Sequence, residues 1–103
     1  MENDERDNLI RSAKVMEDQM MNFLSENKHK TEEASAGGGM VKAVVNWNYH
    51  LVSLEIEKEV VNPDEMEMLS ELIMAAVNEA LAQVKNSLSK ELAKLSSRAF
   101  HQL

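Results

Sequence analysis

Residues 37–56 read GGGMVKAVVNWNYHLVSLEI, and this stretch decides the fold. Apolar side chains alternate with polar ones over Val41–Trp47 and again over Val52–Ile56. Alternation with a period of two is typical of strands that bury one face. The stretch therefore predicts two antiparallel strands joined by a turn at residues 46–50.

Glycine and asparagine mark the places where this stretch must bend. Glycine takes backbone angles that are closed to other residues, so Gly37–Gly39 predict a hinge or bulge just before the first strand. A phosphate-cradling loop is the competing interpretation, but no helix N-terminus or Lys-Ser/Thr pair follows the glycines. In the later turn, Asn46 and Asn48 are the residues that best tolerate a positive φ.

Two long amphipathic helices flank the hairpin. Apolar residues spaced three and four apart predict a helix over residues 4–27. Asn62, a following Pro63 and two acidic residues are typical of a helix start, and the apolar stripe beyond them predicts a helix over 63–97. A helix of about 35 residues is about 50 Å long, so its second half overhangs strands of about 20 Å. The overhanging stripe needs a partner helix, from this chain or from another subunit.

The segment before the hairpin and the second face of the hairpin are less regular. Residues 25–36 lack any apolar period, so by composition they are a linker. The second face of the hairpin is only half polar because it carries Met40, Val44 and Leu51. This pattern indicates that something covers part of that face.

Length and composition bound the class of protein. A chain of 103 residues has room for a single domain, residues 1–103. The sequence contains no Cys, which excludes disulfides and thiolate metal sites. Its acidic start lacks the features of a signal peptide, and no apolar run approaches a membrane span. We expect a cytoplasmic protein that does not engage a membrane.

Neither catalysis nor a cofactor is predicted. His29, His50 and His101 lie in a linker, a turn and a tail, without carboxylates at ligand-like spacing, so solvated surface histidine is the better interpretation of each. No nucleophile, Walker or dinucleotide motif is present. We therefore expect no enzyme activity, no metal, no cofactor and no small-molecule substrate.

The charge is unevenly distributed. The net charge of −7 argues against nucleic acid when taken alone, because phosphate binding normally requires a basic surface. However, four cations against the single acid Glu91 give residues 85–103 a net charge of +3, and the other 84 residues carry −10. Cations near a helix C-terminus also complement the helix dipole, so charge alone leaves both interpretations open.

Four blocks of sequence resemble the YbaB/EbfC family of bacterial nucleoid-associated proteins. Residues 9–20 are similar to its L-M-K-Q-A-x-x-M-x-x-x-M pattern, and residues 37–42 to its glycine-led strand. Residues 53–56 are similar to its S-V-E-I, and residues 68–80 to its M-L-E-D-L-V-x-A-A-x-N-D-A helix. The resemblance covers nearly the whole chain. It departs from the family pattern at residues 47–49, where turn glycines are replaced by larger residues.

The resemblance implies an α+β fold of order α-β-β-β-α, with a small antiparallel sheet between two long helices. It places the glycine hinge and the strands within residues 30–57, including a first strand near Lys30–Ser35. It also implies a tweezer-like homodimer with its sheets at the subunit interface. Such a protein binds duplex DNA non-catalytically in the nucleoid and alters its conformation, with effects on nucleoid organisation, gene expression and DNA protection.

The chain's own residues suggest where these contacts lie. The expected phosphate contacts are cations of the two helices: Lys85, Lys90, Lys94, Arg98, Arg11 and Lys14. The expected dimer interface consists of apolar residues from the hairpin and the second helix: Met40, Val44, Leu51, Trp47, Leu88 and Leu92. The alternative function is a scaffold that docks replication or recombination proteins, with DNA contact incidental.

Overall fold

The computed structural model describes residues 2–101, and the side chains of residues 4–97. The elements are α1 (Glu2–Asn27), β1 (Thr31–Ala36), β2 (Val41–Asn46), β3 (Leu51–Ile56) and α2 (Met66–His101). Two short 3-10 turns, Lys58–Val60 and Pro63–Glu65, connect β3 to α2. The predicted α-β-β-β-α order is confirmed.

The three strands form one antiparallel sheet in the order β1-β2-β3. β1 pairs with β2 along its whole length, from Thr31 opposite Asn46 to Ala36 opposite Val41. The linker predicted from composition is therefore wrong for the β1 part of 25–36, whereas the first strand implied by the resemblance is confirmed.

Composition did not predict β1 because this strand contains no large apolar residue. Its most deeply buried position is Ala34, opposite Ala43, where two small side chains let α2 approach closely. Glu32 occupies the neighbouring position on the same face, and its carboxylate is hydrogen-bonded by other elements. A charged residue on the inner face of an edge strand also discourages further strand pairing.

Both turns depend on residues with positive φ. The β1–β2 turn uses Gly37–Gly39, whose φ angles are 64°, 68° and 92°, so the glycines connect two strands of a hairpin. In the β2–β3 turn the residue with positive φ is Tyr49, at 62°, so the prediction of Asn46 or Asn48 is wrong. Asn46 instead stabilises the turn, because its Oδ1 accepts hydrogen bonds from the amides of Asn48 (2.9 Å) and His50 (3.0 Å).

The core lies between the sheet and the first half of α2. Val41, Ala43 and Val45 of β2 are completely buried, as are three small or β-branched residues of α2, Ala76, Ala80 and Val84. Small residues at the crossing bring the helix close to the sheet, and larger residues such as Leu69 and Leu88 of α2 fill the core around it. α2 packs across β1 and β2.

The end of α2 beyond Leu88 overhangs the sheet, so the overhang is real but shorter than the predicted second half. At 1.5 Å per residue, 36 residues span about 54 Å. The molecule measures 73 × 25 × 17 Å. Asn62 caps the start of α2, its Oδ1 accepting a hydrogen bond of 3.0 Å from the amide of Asp64, although the first turn is 3-10 rather than α-helical.

α1 lies beside this overhang and runs in the opposite direction. Phe23 and Asn27, near its end, lie beside Leu95 of α2, and Met16, further back, lies beside Leu95 and Ser96. Of the α1 side chains that the structure describes, Phe23 and Asn27 alone are buried. The two helices together form an arm that extends beyond the sheet.

Candidate nucleic-acid interface

The arm carries exposed cations along α2. Lys90 and Lys94 are one helical turn apart and both are exposed, so they point to the same side. Lys94 Nζ lies 3.2 Å from Glu91 Oε1, a surface ion pair within the helix. Arg98 continues this spacing along α2, but its side chain lies outside the described residues.

The other predicted cations lie elsewhere on the arm. Lys85 is exposed, but it precedes Lys90 by five residues, which is about 140° around the helix axis. Lys85 therefore does not share the stripe of Lys90 and Lys94. Arg11 and Lys14 are exposed on α1, and the antiparallel arrangement puts them toward the same end of the molecule as the C-terminal half of α2.

A concavity of about 410 Å³ lies where the arm meets the sheet. We call it the root concavity; its lining residues are Trp47, Ser87, Lys90, Glu91, Ala93 and Lys94. Its floor contains the chain's one tryptophan, which follows β2 and has only 8% of its surface exposed. Lys90 and Lys94, the two exposed lysines of α2, line its sides.

Residues in and just before β1 contact two lining residues of the root concavity, Trp47 and Ser87. Lys30 Nζ lies over the Trp47 ring, 4.8 Å from its centroid, in a cation–π arrangement. The Glu32 carboxylate accepts hydrogen bonds from Trp47 Nε1 (3.3 Å) and Ser87 Oγ (2.6 Å). The backbone amide of Trp47 donates to the carbonyl of Lys30 at 2.8 Å. The strand, the tryptophan and α2 are thus held together by one network.

Sequence reasoning missed Lys30, Glu32 and Ser87. Reading residues 25–36 as a linker left Lys30 and Glu32 without a structural position. The hydrogen bond from Ser87 to Glu32 joins residues 55 positions apart, so no local sequence pattern predicts it. The order of strands implied by the resemblance is the one signal that could have placed Lys30 beside the hairpin.

A strip of apolar side chains on β3 is left uncovered. Leu54 pairs with Ala43 and Ile56 pairs with Val41, so each pair shares one face of the sheet. The β2 members are 0% exposed because α2 covers them, whereas Leu54 and Ile56 are each 37% exposed. Leu51, opposite Val45, is 46% exposed and lies on the same face as Leu54, because the register shifts between Val44 and Val45. The prediction that placed Leu51 on the second face is therefore wrong. We call Leu51, Leu54 and Ile56 the β3 strip.

The residues predicted for a dimer interface fall into three groups by burial. Trp47 and Leu88 are buried in the chain's own core, so they need no partner to cover them. Val44 and Leu92 are half-buried. Large exposed apolar side chains include Met40 and Leu51 of the prediction and several residues of α1: Leu9, Ile10, Val15, Met16, Met20, Met21 and Leu24.

Two kinds of site are not found in the part of the chain that the structure describes. No group of three or more His, Cys, Asp or Glu side chains there could hold a metal ion. Within that same part, none of the helices has both the length and the apolar character to cross a membrane.

Comparison with known proteins connects this geometry to a family. The model of the YbaB/EbfC DNA-binding family matches residues 2–99. A nucleoid-associated protein of Thermoanaerobacter pseudethanolicus is 44% identical over 89 residues, which are 86% of this chain and 80% of that protein. A nucleoid-associated protein of Caldanaerobacter subterraneus is 42% identical with the same coverage. The fold resembles the crystal structure of an uncharacterized protein from Helicobacter pylori, with a TM-score of 0.72, 22% identity and coverage of 84% of this chain and 91% of that one.

Proposed function

Because the chain belongs to the YbaB/EbfC DNA-binding family, we propose that it binds duplex DNA non-catalytically as a homodimer and alters DNA conformation in the nucleoid. The observation that carries this proposal is the family match over residues 2–99, together with relatives that are themselves named nucleoid-associated proteins. Effects on nucleoid organisation, gene expression and DNA protection follow from the same proposal.

The phosphate-contacting surface is the cationic side of the arm. Lys90 and Lys94 point outward from one face of α2, with Arg98 next in spacing and Arg11 and Lys14 on α1. The three α2 cations of each arm would give a homodimer about six contacts to the DNA backbone, and Arg11 and Lys14 would add to them. With six contacts, counterion release predicts an affinity loss of roughly a thousandfold between 50 and 200 mM salt.

Within the described residues, no element of the fold favours readout of base sequence. α2 is covered by the sheet along its first half, and the exposed arm presents lysines, which contact phosphate as point charges. Phosphate contacts position a protein on the duplex without carrying sequence information. The proposal is therefore binding with little sequence preference.

The β3 strip and the exposed face of α1 support the homodimer. A row of apolar side chains beside a covered core is the pattern left when a second chain completes the packing. A second copy would offer the same strip, and a two-fold axis beside β3 would join two strips into one interface. The exposed apolar residues of α1 would pack in the same assembly.

Fluorescence anisotropy with a random-sequence duplex tests DNA binding. The double variant Lys90→Glu, Lys94→Glu reverses the charge of the two exposed lysines of α2. The matched control, Lys28→Glu with Lys58→Glu, makes the same change in net charge at exposed positions outside α2. We expect micromolar or tighter binding by the wild type, steep weakening with salt, and loss of binding in the arm variant only. Absence of wild-type binding at low salt would refute the proposal and leave the protein-docking scaffold as the function to pursue.

A further inference from the structure

We infer that the root concavity is a second phosphate-contact site, in which Lys30 joins Lys90 and Lys94, so that the DNA backbone is held at the base of the arm as well as along it. This inference rests on the proposed DNA binding and adds a residue and a location to it. Lys30 belongs to neither helix, and no charge pattern in the sequence singles it out.

One indole ring connects the three lysines. Lys30 Nζ lies 4.8 Å from the centroid of the Trp47 ring, and the same ring lines the root concavity with Lys90 and Lys94. The backbone of Lys30 is held beside Trp47, because the Lys30 carbonyl accepts a hydrogen bond of 2.8 Å from the Trp47 amide. Its side chain therefore lies against Trp47, one of the residues that line the concavity.

The carboxylates nearby are already engaged. Glu32 accepts the indole N–H of Trp47 and the hydroxyl of Ser87, and Glu91 pairs with Lys94. Within the described side chains, the salt bridges are Lys42–Glu33 and Lys94–Glu91, so neither Lys30 nor Lys90 is neutralised by an ion pair. Their charges remain available to an anion from outside.

The ligand class is a phosphate and not a base. A stacked base needs an open ring face, yet Trp47 is 8% exposed and Lys30 lies over its ring. Ammonium groups around a shallow, open depression suit an oxygen-rich anion of a backbone that runs past it. From Ser87 to Lys94 the helix rises about 10 Å, enough for the backbone to follow the stripe from the arm down to the sheet.

The test is the salt dependence of duplex binding by three single variants of the full chain. Lys30→Gln removes the charge at the concavity, whereas Lys28→Gln removes the same charge two residues away, at an exposed position beside Met21, Leu24 and Asn48. Lys30→Arg keeps both the charge and the cation–π contact. Circular dichroism and thermal unfolding confirm that each variant is folded.

We expect Lys30→Gln to flatten the plot of log affinity against log salt by about one unit of slope for each lost contact. Lys28→Gln should keep a slope close to that of the wild type, and Lys30→Arg should restore it. Trp47 is the only tryptophan, so its emission should change on addition of duplex as Lys30 leaves the ring for a phosphate.

Equal slopes for Lys30→Gln and Lys28→Gln would overturn the inference, as would Trp47 emission that does not respond to saturating duplex. Either result could occur while the arm variant Lys90→Glu, Lys94→Glu still loses binding, in which case the proposed function stands without this site. If the wild type binds no duplex at all, the proposed function fails and the inference fails with it.

Discussion

Substituting Leu54 by Glu should convert the proposed homodimer into folded monomers. Leu54 is the central residue of the β3 strip, and it faces the same side of the sheet as the buried Ala43. Because 37% of its surface is exposed in the single chain, a glutamate there can reach water, and the monomer should keep its fold. In a dimer closed over the strip, the same carboxylate would be trapped against the second copy.

The magnitude follows from the exposed fractions. Full burial of a leucine or isoleucine side chain stabilises by about 1.5–3 kcal/mol, so covering the remaining two-fifths of Leu54 contributes about 0.6–1.2 kcal/mol per subunit. Two copies lose about 1–2 kcal/mol, and two carboxylates are desolvated at a cost of several kcal/mol more. Each 1.4 kcal/mol is a factor of about ten, so the dimer dissociation constant should rise by at least about a hundredfold.

Sedimentation equilibrium of the wild type and the variant measures this constant, with far-ultraviolet circular dichroism to verify folding. Val44→Glu is the control, because Val44 is opposite Ser53 and belongs to the other face of the sheet, where a dimer interface was also predicted from sequence. A Val44→Glu protein that dissociates while Leu54→Glu remains dimeric would refute the reasoning and move the interface to the second face. A wild-type protein that is monomeric at high concentration would refute the homodimer itself.

Two further predictions concern stability, measured by urea unfolding. Gly38→Ala should lower the free energy of unfolding by about 1 kcal/mol, because its φ of +68° disfavours a side chain although nothing lies within 4 Å of the added Cβ. Gly37→Ala should cost about 1 kcal/mol more, since its Cβ would lie 3.1 Å from Leu72 Cδ2; equal losses would contradict this steric argument. Ser87→Ala removes the 2.6 Å hydrogen bond to Glu32 and should cost about 1 kcal/mol, and an unchanged midpoint would show that this contact is not stabilising.

The helices and the hairpin could be predicted because each buries one face over many residues. The predicted first helix, 4–27, differs from α1 by two residues at its start, and the predicted second helix, 63–97, begins at the 3-10 turn before α2. The spacing of apolar residues reflects which face of an element is buried, so a long amphipathic helix can be predicted even where single positions break the pattern. The stripe of Lys90 and Lys94 was likewise readable from spacing.

The sequence pattern missed β1 because this strand depends on residues far apart in the chain. β1 has a carboxylate on its inner face, and this is tolerated only because Ser87 and Trp47 donate to Glu32. In the β2–β3 turn, Asn46 ends the strand and accepts hydrogen bonds from the turn amides, while Tyr49 takes the positive φ. These hydrogen bonds span only two and four residues, and the residue types mark the turn without showing which position takes the positive φ.

The acidity of the chain bears on its proposed DNA binding because acids and cations meet on the arm. Residues 85–103 carry +3 and the other residues −10. α1, which lies beside the overhang, brings Glu17, Asp18 and Glu26 onto the same arm as the α2 lysines. At about 0.1 M salt the Debye length is about 10 Å, so a phosphate at the arm responds to the acids of α1 as well as to the lysines, and is screened from the far end of the 73 Å molecule. Lower salt lengthens this range and should strengthen both the attraction to the lysines and the repulsion from the carboxylates. Affinity should therefore gain less at very low salt than counting the arm cations alone would predict, and neutralising Glu17 and Asp18 should restore that gain.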